Sequence, residues 1–354
     1  MNILLISPDF NYSCGVSKHV YLLLKELSKR ENLSLYFITN QGDSLERLSG
    51  LNVKISFLDF RRGNKNPFRF VKNLFLLRSF CIHNKINVIH THHRYPELLA
   101  YCISRILDIK TITSVHSFVN GMKLFSFKSE KIIAVSKSVQ NYLINEFKVR
   151  KGKVHQIYYF VLVAESPEIE EITNLKGKLG IKPTDIVLFF AGRIGKIKGA
   201  DILAHAFRVL SLRKLNIKLL LIGSYESKEF EQLFHNSKNV IYLPSTNYVH
   251  QYFYLCDIVI LPSRIDPFPY VMLEAGCASK PIIGGRTGGI EEFIEDGTNG
   301  LLVEPGNVED LIEKIEYCIN EPDKSKLMGQ KLFQSVSELT NADQYINRLL
   351  QIYQ

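Results

Sequence analysis

The chain has 354 residues, 46% apolar and 22% charged, the balance of a soluble globular protein with room for two ordinary domains. Its net charge of +9 is uneven: residues 1–160 hold 24 Lys+Arg against 10 Asp+Glu, and the remainder holds 20 against 25. No apolar run reaches the roughly 18 residues of a membrane span. The apolar start MNILLISPDF reads as a first strand and not as a signal peptide. Six scattered cysteines without metal-type spacing read as reduced thiols of a cytoplasmic protein.

In chain order, the first half alternates strands and helices. Strands are expected at Ile3–Ser7, Leu35–Thr39, Val53–Leu58, Val88–His92, Thr111–His116 and Ile132–Val135. Helices are expected at Val16–Leu27, Phe68–Phe80, Pro96–Leu107 and Ser138–Phe147. The second half repeats the theme, with strands at Ile186–Ala191, Lys218–Gly223, Val240–Leu243, Ile258–Leu261, Pro281–Gly284 and Leu301–Val303. Such alternation predicts an α/β chain with two parallel, Rossmann-like sheets. The acidic, weakly patterned stretch Glu165–Pro183 reads as the junction, giving domains at 1–163 and 164–334. A terminal helical stretch follows from about Ser325. No G-x-G-x-x-G follows a strand, which argues against an ordinary NAD-dependent enzyme.

The most informative stretch is Pro262–Ala278, PSRIDPFPYVMLEAGCA. A strand, a short loop and a helix start form an anion pocket, because the first N–H groups of a helix lack intrahelical partners. Asp266 and Glu274 beside that pocket suit a ligand that carries both phosphate and hydroxyls, as a nucleotide sugar does. The plain alternative is an acidic helix start with Glu274 in water. After the strand IVLFFA comes Gly192-Arg193-Ile194-Gly195-Lys196-Ile197-Lys198-Gly199, a glycine-rich turn with three cations.

These two segments resemble the signatures of the GT-B retaining glycosyltransferase family 4, also described as glycosyl transferases group 1. The resemblance implies two Rossmann-like domains facing each other across a cleft, with the terminal helix, residues 335–354, crossing back to the first. It implies transfer of a hexose-type sugar from a UDP- or GDP-type nucleotide sugar, by a front-face mechanism without a cofactor or bound metal. Arg193 and Lys198 are expected to hold the donor diphosphate. Asp266 is expected to meet hydroxyls of the sugar, and Glu274 those of the ribose. Phe268 and the backbone N–H groups of Tyr270, Val271 and Met272 are expected around the sugar and phosphate. Two departures stand out here: Asp266 replaces the commoner Glu, and Pro269, which has no N–H, replaces Gly.

Further matches are sparser. Gly15 in Ser13-Cys14-Gly15-Val16-Ser17 corresponds to a Gly-Gly loop near donor phosphate, or is a simple turn. His116, at a strand end, matches a histidine that touches the transferred sugar. His92, in VIHTHHRY, and Ser136, in IAVSKS, are acceptor-side candidates; Ser136 is otherwise a helix N-cap. Tyr158-Tyr159-Phe160 stands where relatives carry Pro-Asn-Gly. The loop Gly284–Gly289 reads as a turn that shapes the site.

Phe68–Phe80 mixes aromatics and leucines with Arg69, Lys72 and Arg78; Arg61, Arg62, Lys65 and Lys85 flank it, and no acid lies from Phe60 to Tyr95. It either lies on an anionic membrane or packs on the sheet. The implied partners are a nucleotide sugar, a glycan or lipid-linked acceptor and an anionic inner membrane face, with no nucleic acid. Two rivals remain: a nucleotide-sugar epimerase of the same fold, and a non-catalytic basic membrane-binding protein.

Overall fold

The computed structural model describes residues 1–60, 67–163, 165–213, 216–235 and 237–354. Arg61, Arg62 and Lys65 therefore lie outside the described residues. The chain divides into two compact units, Met1–Phe160 with Asn341–Gln354, and Val161–Thr340.

The first unit opens with β1 (Asn2–Ile6), α1 (Gly15–Leu27), β2 (Ser34–Thr39), β3 (Val53–Phe57) and α2 (Pro67–His83). It continues through β4 (Val88–Thr91), α3 (Arg94–Ser104), β5 (Lys110–Val115), β6 (Lys131–Ala134), α4 (Lys137–Glu146) and β7 (Val154–Gln156). Seven strands form one parallel sheet in the order β3-β2-β1-β4-β5-β6-β7. The sequence pattern missed β7, whose three residues VHQ are too short and too polar to read as a strand. α3 starts at Arg94, so Pro96 lies in its first turn, where a missing N–H costs nothing.

The second unit holds α5 (Ile169–Lys178), β8 (Ile186–Ala191), α6 (Ala200–Arg213), β9 (Ile217–Ile222), α7 (Lys228–His235), β10 (Val240–Leu243) and α8 (Val249–Leu255). β11 (Ile258–Leu261), α9 (Tyr270–Cys277), β12 (Ile282–Gly285), α10 (Gly288–Phe293), β13 (Leu301–Val303), α11 (Val308–Asn320) and α12 (Pro322–Leu339) complete it. Its six strands are parallel, in the order β10-β9-β8-β11-β12-β13. β8, IVLFFA, is buried along almost its whole length, as a central parallel strand covered on both faces must be.

Two segments differ from the sequence pattern. The stretch 165–183 carries α5, an exposed helix with Glu170 and Glu171 in its first turn and Lys176 and Lys178 in its last. That charge order suits the helix dipole and stabilises a helix with no buried residue to announce it. The terminal stretch is two helices. α12 stops at Leu339, and Asn341 caps α13 (Ala342–Tyr353) by accepting from Gln344 N–H at 3.0 Å.

The strand orders place a topological switch point in each unit. In the first it lies between β1 and β4, and in the second between β8 and β11. Open α/β sheets bind ligands beyond the carboxyl ends of the strands at such points.

Candidate active site

In the second unit the switch point brings together the two segments singled out in the sequence. The turn after β8 runs from Gly192 to Gly199, and the segment after β11 begins at Pro262. Backbone bonds lock the two together: Arg264 N–H donates to the Ile197 carbonyl at 2.8 Å. The Arg264 side chain adds a bond to the Lys196 carbonyl at 2.7 Å and grips Asp201 through both carboxylate oxygens at 2.6 and 2.8 Å. Burial pushes the Asp201 carboxyl up, but the guanidinium outweighs it and holds the group below its usual value.

Lys198 and Asp266, given separate duties by the resemblance, form an ion pair. Lys198 Nζ lies 2.5 Å from Asp266 Oδ2, and Ser263 Oγ donates to the same oxygen at 3.2 Å. Asp266 is buried, while Lys198 keeps part of its side chain in water. Arg193 is exposed at the end of β8 and forms no ion pair among the described residues. The turn thus presents two exposed cations, Arg193 and Lys196, and a third, Lys198, already held by a buried carboxylate.

Glycines permit this closeness. Gly199 has φ +73°, and a Cβ there would lie 2.0 Å from the Pro262 carbonyl. A Cβ on Gly289 would lie 2.1 Å from the Pro267 carbonyl, and Gly289 N–H donates to the Asp266 carbonyl at 3.0 Å. The Gly284–Gly289 loop therefore supports the backbone that carries Asp266.

Pro269 is the N-cap of α9, not its first helical residue. The Met272 N–H is bonded to the Pro269 carbonyl at 3.2 Å, so one of the three expected backbone donors is committed within the turn. Met272, Tyr270 and Phe268 are buried, and Phe268 packs edge-to-face on Phe293. Their side chains form the floor of the segment. Val271 and Glu274 are half-buried on the same helix.

In the first unit, Gly15 opens α1 directly after the β1 loop and is exposed. Ser17 Oγ secures that loop, accepting from Asn11 N–H at 3.0 Å and donating to the Asp9 carbonyl at 3.1 Å. Ser136 is buried and caps α4, accepting from Val139 N–H at 3.3 Å. His92 and His116 follow β4 and β5. His92 Nδ1 lies 2.9 Å from His116 Nε2, and His116 Nδ1 lies 2.6 Å from the Tyr159 hydroxyl. Both ring nitrogens of His116, the expected sugar contact, are thus engaged inside the unit.

Behind this pair lies a buried cluster that the sequence pattern did not reveal. His90 bonds the Tyr353 hydroxyl at 2.6 Å and Ser114 Oγ at 2.8 Å, and His19 lies 3.3 Å from the Tyr345 hydroxyl. Tyr345 and Tyr353 come from α13, about three hundred positions away in sequence. The available signal was His19 in the apolar stripe of α1, where a polar residue asks for a partner. Burial drives His19 and His90 down to about 3, and burial with neighbouring histidines holds His92 and His116 well below their usual range.

The family described as Glycosyl transferases group 1 matches residues 171–334, and Glycosyltransferase Family 4 matches residues 14–164. The chain is similar to an uncharacterised glycosyltransferase of Methanocaldococcus jannaschii, with 28% identity across 93% of this chain and 92% of that one. It is also similar to the N-acetyl-alpha-D-glucosaminyl L-malate synthase of Bacillus anthracis, with 26% identity over 76% of this chain and 74% of that one. Among solved structures, Anabaena HepE in complex with UDP-glucose superposes with a TM-score of 0.86 at 17% identity, covering 99% of each chain. Sequence matches through both units and this shared fold agree: the chain belongs to the GT-B glycosyltransferases of the family 4 type.

Proposed function

We propose that the protein moves a hexose-type sugar, with retention at the anomeric carbon, from a UDP- or GDP-type nucleotide sugar to a glycan or lipid-linked glycan. The observation that carries this reading is the Lys198–Asp266 pair at the switch point of the second unit, with Arg193 exposed at the end of β8. When the glycosidic bond breaks, negative charge grows on the departing diphosphate. Arg193, Lys198 and the start of α9 stabilise that charge more than they stabilise the ground state. The departing phosphate oxygen takes the acceptor proton, so no protein base and no metal is needed. Asp266 reads sugar hydroxyls and Glu274 the ribose. The UDP-glucose bound by HepE is a ligand of this chemistry.

A thermal-shift screen of nucleotide sugars tests the donor, because a ligand that binds only the folded state raises the melting temperature by mass action. One UDP or GDP sugar should raise it, and Glu274→Ala should weaken that shift. Equal shifts for the variant would remove Glu274 from the donor site. Product analysis separates transfer from epimerisation: an epimerase would convert the donor with no acceptor present.

The acceptor side is proposed to meet an anionic membrane. One face of α2 packs inward through Asn73, Leu77 and Cys81. The other leaves Phe68, Val71 and Phe75 between 63 and 82% exposed, beside Lys72. Apolar side chains flanked by cations suit the interface of an anionic bilayer. Among the described residues no helix is long and apolar enough to cross a membrane. The protein should co-sediment with phosphatidylglycerol vesicles at low salt, and Phe68→Ser with Phe75→Ser should release it. Equal sedimentation of the double variant would remove α2 from the contact.

A further inference from the structure

We propose that Tyr159 is a positioning residue that fixes His116 as its Nε2–H tautomer, the form that donates a hydrogen bond to a sugar or acceptor oxygen. The inference rests on the transferase reading and concerns a residue at a point where this chain departs from its relatives, Tyr158-Tyr159-Phe160 in place of Pro-Asn-Gly.

His116 follows β5 at the carboxyl end of the first sheet and is half-buried. His92 follows β4, and its backbone N–H donates to the Ile6 carbonyl of β1 at 3.1 Å, which fixes it beside the switch point. A neutral imidazole carries one N–H, and its hydrogen-bond partners choose which nitrogen holds it. Tyr159 makes that choice. The phenol is a good O–H donor, and the bare imidazole nitrogen is a far stronger acceptor than a phenol oxygen. The 2.6 Å contact is therefore Tyr159 O–H donating to His116 Nδ1.

The rest follows by elimination. With Nδ1 accepting, the His116 proton sits on Nε2 and is donated to His92 Nδ1 across 2.9 Å. His92 then carries its own proton on Nε2, a buried atom with no hydrogen-bond partner among the described residues. His92 Nδ1 is the resting acceptor, and a ligand oxygen reaching His116 displaces it without a proton transfer. Tyr159 is itself buried, packed at a tilt on His19 with ring centres 4.6 Å apart and stacked on His116 at 5.8 Å, so the place of its hydroxyl oxygen is set by packing.

The full-length protein labelled with nitrogen-15 at histidine tests this directly. Ring nitrogen shifts should show His116 protonated at Nε2, and Tyr159→Phe should give a mixture of tautomers with an unchanged circular dichroism spectrum. An Nδ1–H ring in the parent, or the same tautomer in Tyr159→Phe, overturns the proposal. The second arm uses turnover of the nucleotide sugar selected by the thermal-shift screen. Tyr159→Phe should lower kcat/KM roughly 10–100-fold, the range known for losing the partner that orients a metal-bound histidine. In a His116→Gln background, whose amide has no tautomers, the same change should cost almost nothing. An equal loss in both backgrounds would mean that Tyr159 serves only the packing. The ring shifts stand apart from turnover, so a wrong tautomer and a wrong transferase assignment give different results.

Discussion

Replacing Arg193 with alanine is expected to lower kcat about 100- to 1000-fold, equivalent to about 2.7–4 kcal/mol of transition-state stabilisation. The size follows from when the charge appears. A donor sugar arrives with its diphosphate already anionic, but the bond-breaking step adds charge to the leaving oxygen. A fixed cation meets that charge without reorganising. Arg193 is a clean probe, because it is exposed and forms no ion pair among the described residues. Its loss should change stability by less than about 0.5 kcal/mol. Lys198→Ala should also remove activity but is less clean, since it strips a buried carboxylate, Asp266, of its partner. Breaking a fully buried pair costs about 3–5 kcal/mol, and less here because Lys198 reaches water. Steady-state kinetics with a melting curve for each variant decides the matter. A kcat within threefold of the parent for Arg193→Ala would remove that residue from the reaction.

The sequence revealed most where residues act through the backbone periods of strand and helix. β8, β9, β11 and β12 are apolar runs bounded by glycine or proline, and runs of that kind stay readable without any tertiary knowledge. Positions just beyond strand ends were readable too, because the segments holding Arg193 and Asp266 directly follow the apolar runs IVLFFA and IVIL. Pairings across the fold were not. Nothing in the sequence joins Lys198 to Asp266 or Arg264 to Asp201, since each bond depends on how two loops fold back on each other. The histidine cluster is the extreme case. Its members come from α1, from residues at β4 and β5, from the chain after β7 and from α13. Each looks ordinary alone, and only the packed unit makes them one network. In the sequence Tyr159 is only a departure from the Pro-Asn-Gly of relatives; in the fold it is the partner of His116.

That cluster should make the first unit sensitive to acid. His19 and His90 hold their protons only near pH 3 when folded, against about 6.5 when exposed. Below pH 6.5 the unfolded chain therefore binds protons that the folded chain refuses. Stability is fully present above pH 6.5 and is lost as pH falls towards 3. Each such histidine removes about 1.4 kcal/mol per pH unit, so the two remove roughly 3 kcal/mol at pH 5.5. His92 and His116 act in the same direction. Glu97, whose carboxyl burial pushes up despite bonds from Phe127, Lys128 and Ser129, opposes them only near its own lower range. A loss of this size is a large share of the 5–15 kcal/mol that holds a typical domain together. The second unit supplies an internal control, because His205, His235 and His250 are all exposed. Hydrogen exchange at pH 7.5 and 5.5, corrected for intrinsic rates, should show amides of β1, β4 and β5 losing protection while those of β8, β9 and β11 keep theirs. Equal protection in both units at pH 5.5 would mean that the rings take up protons without opening the fold. The same burial that makes the first unit acid-labile keeps His116 neutral near pH 7, which is the state that tautomer control by Tyr159 requires.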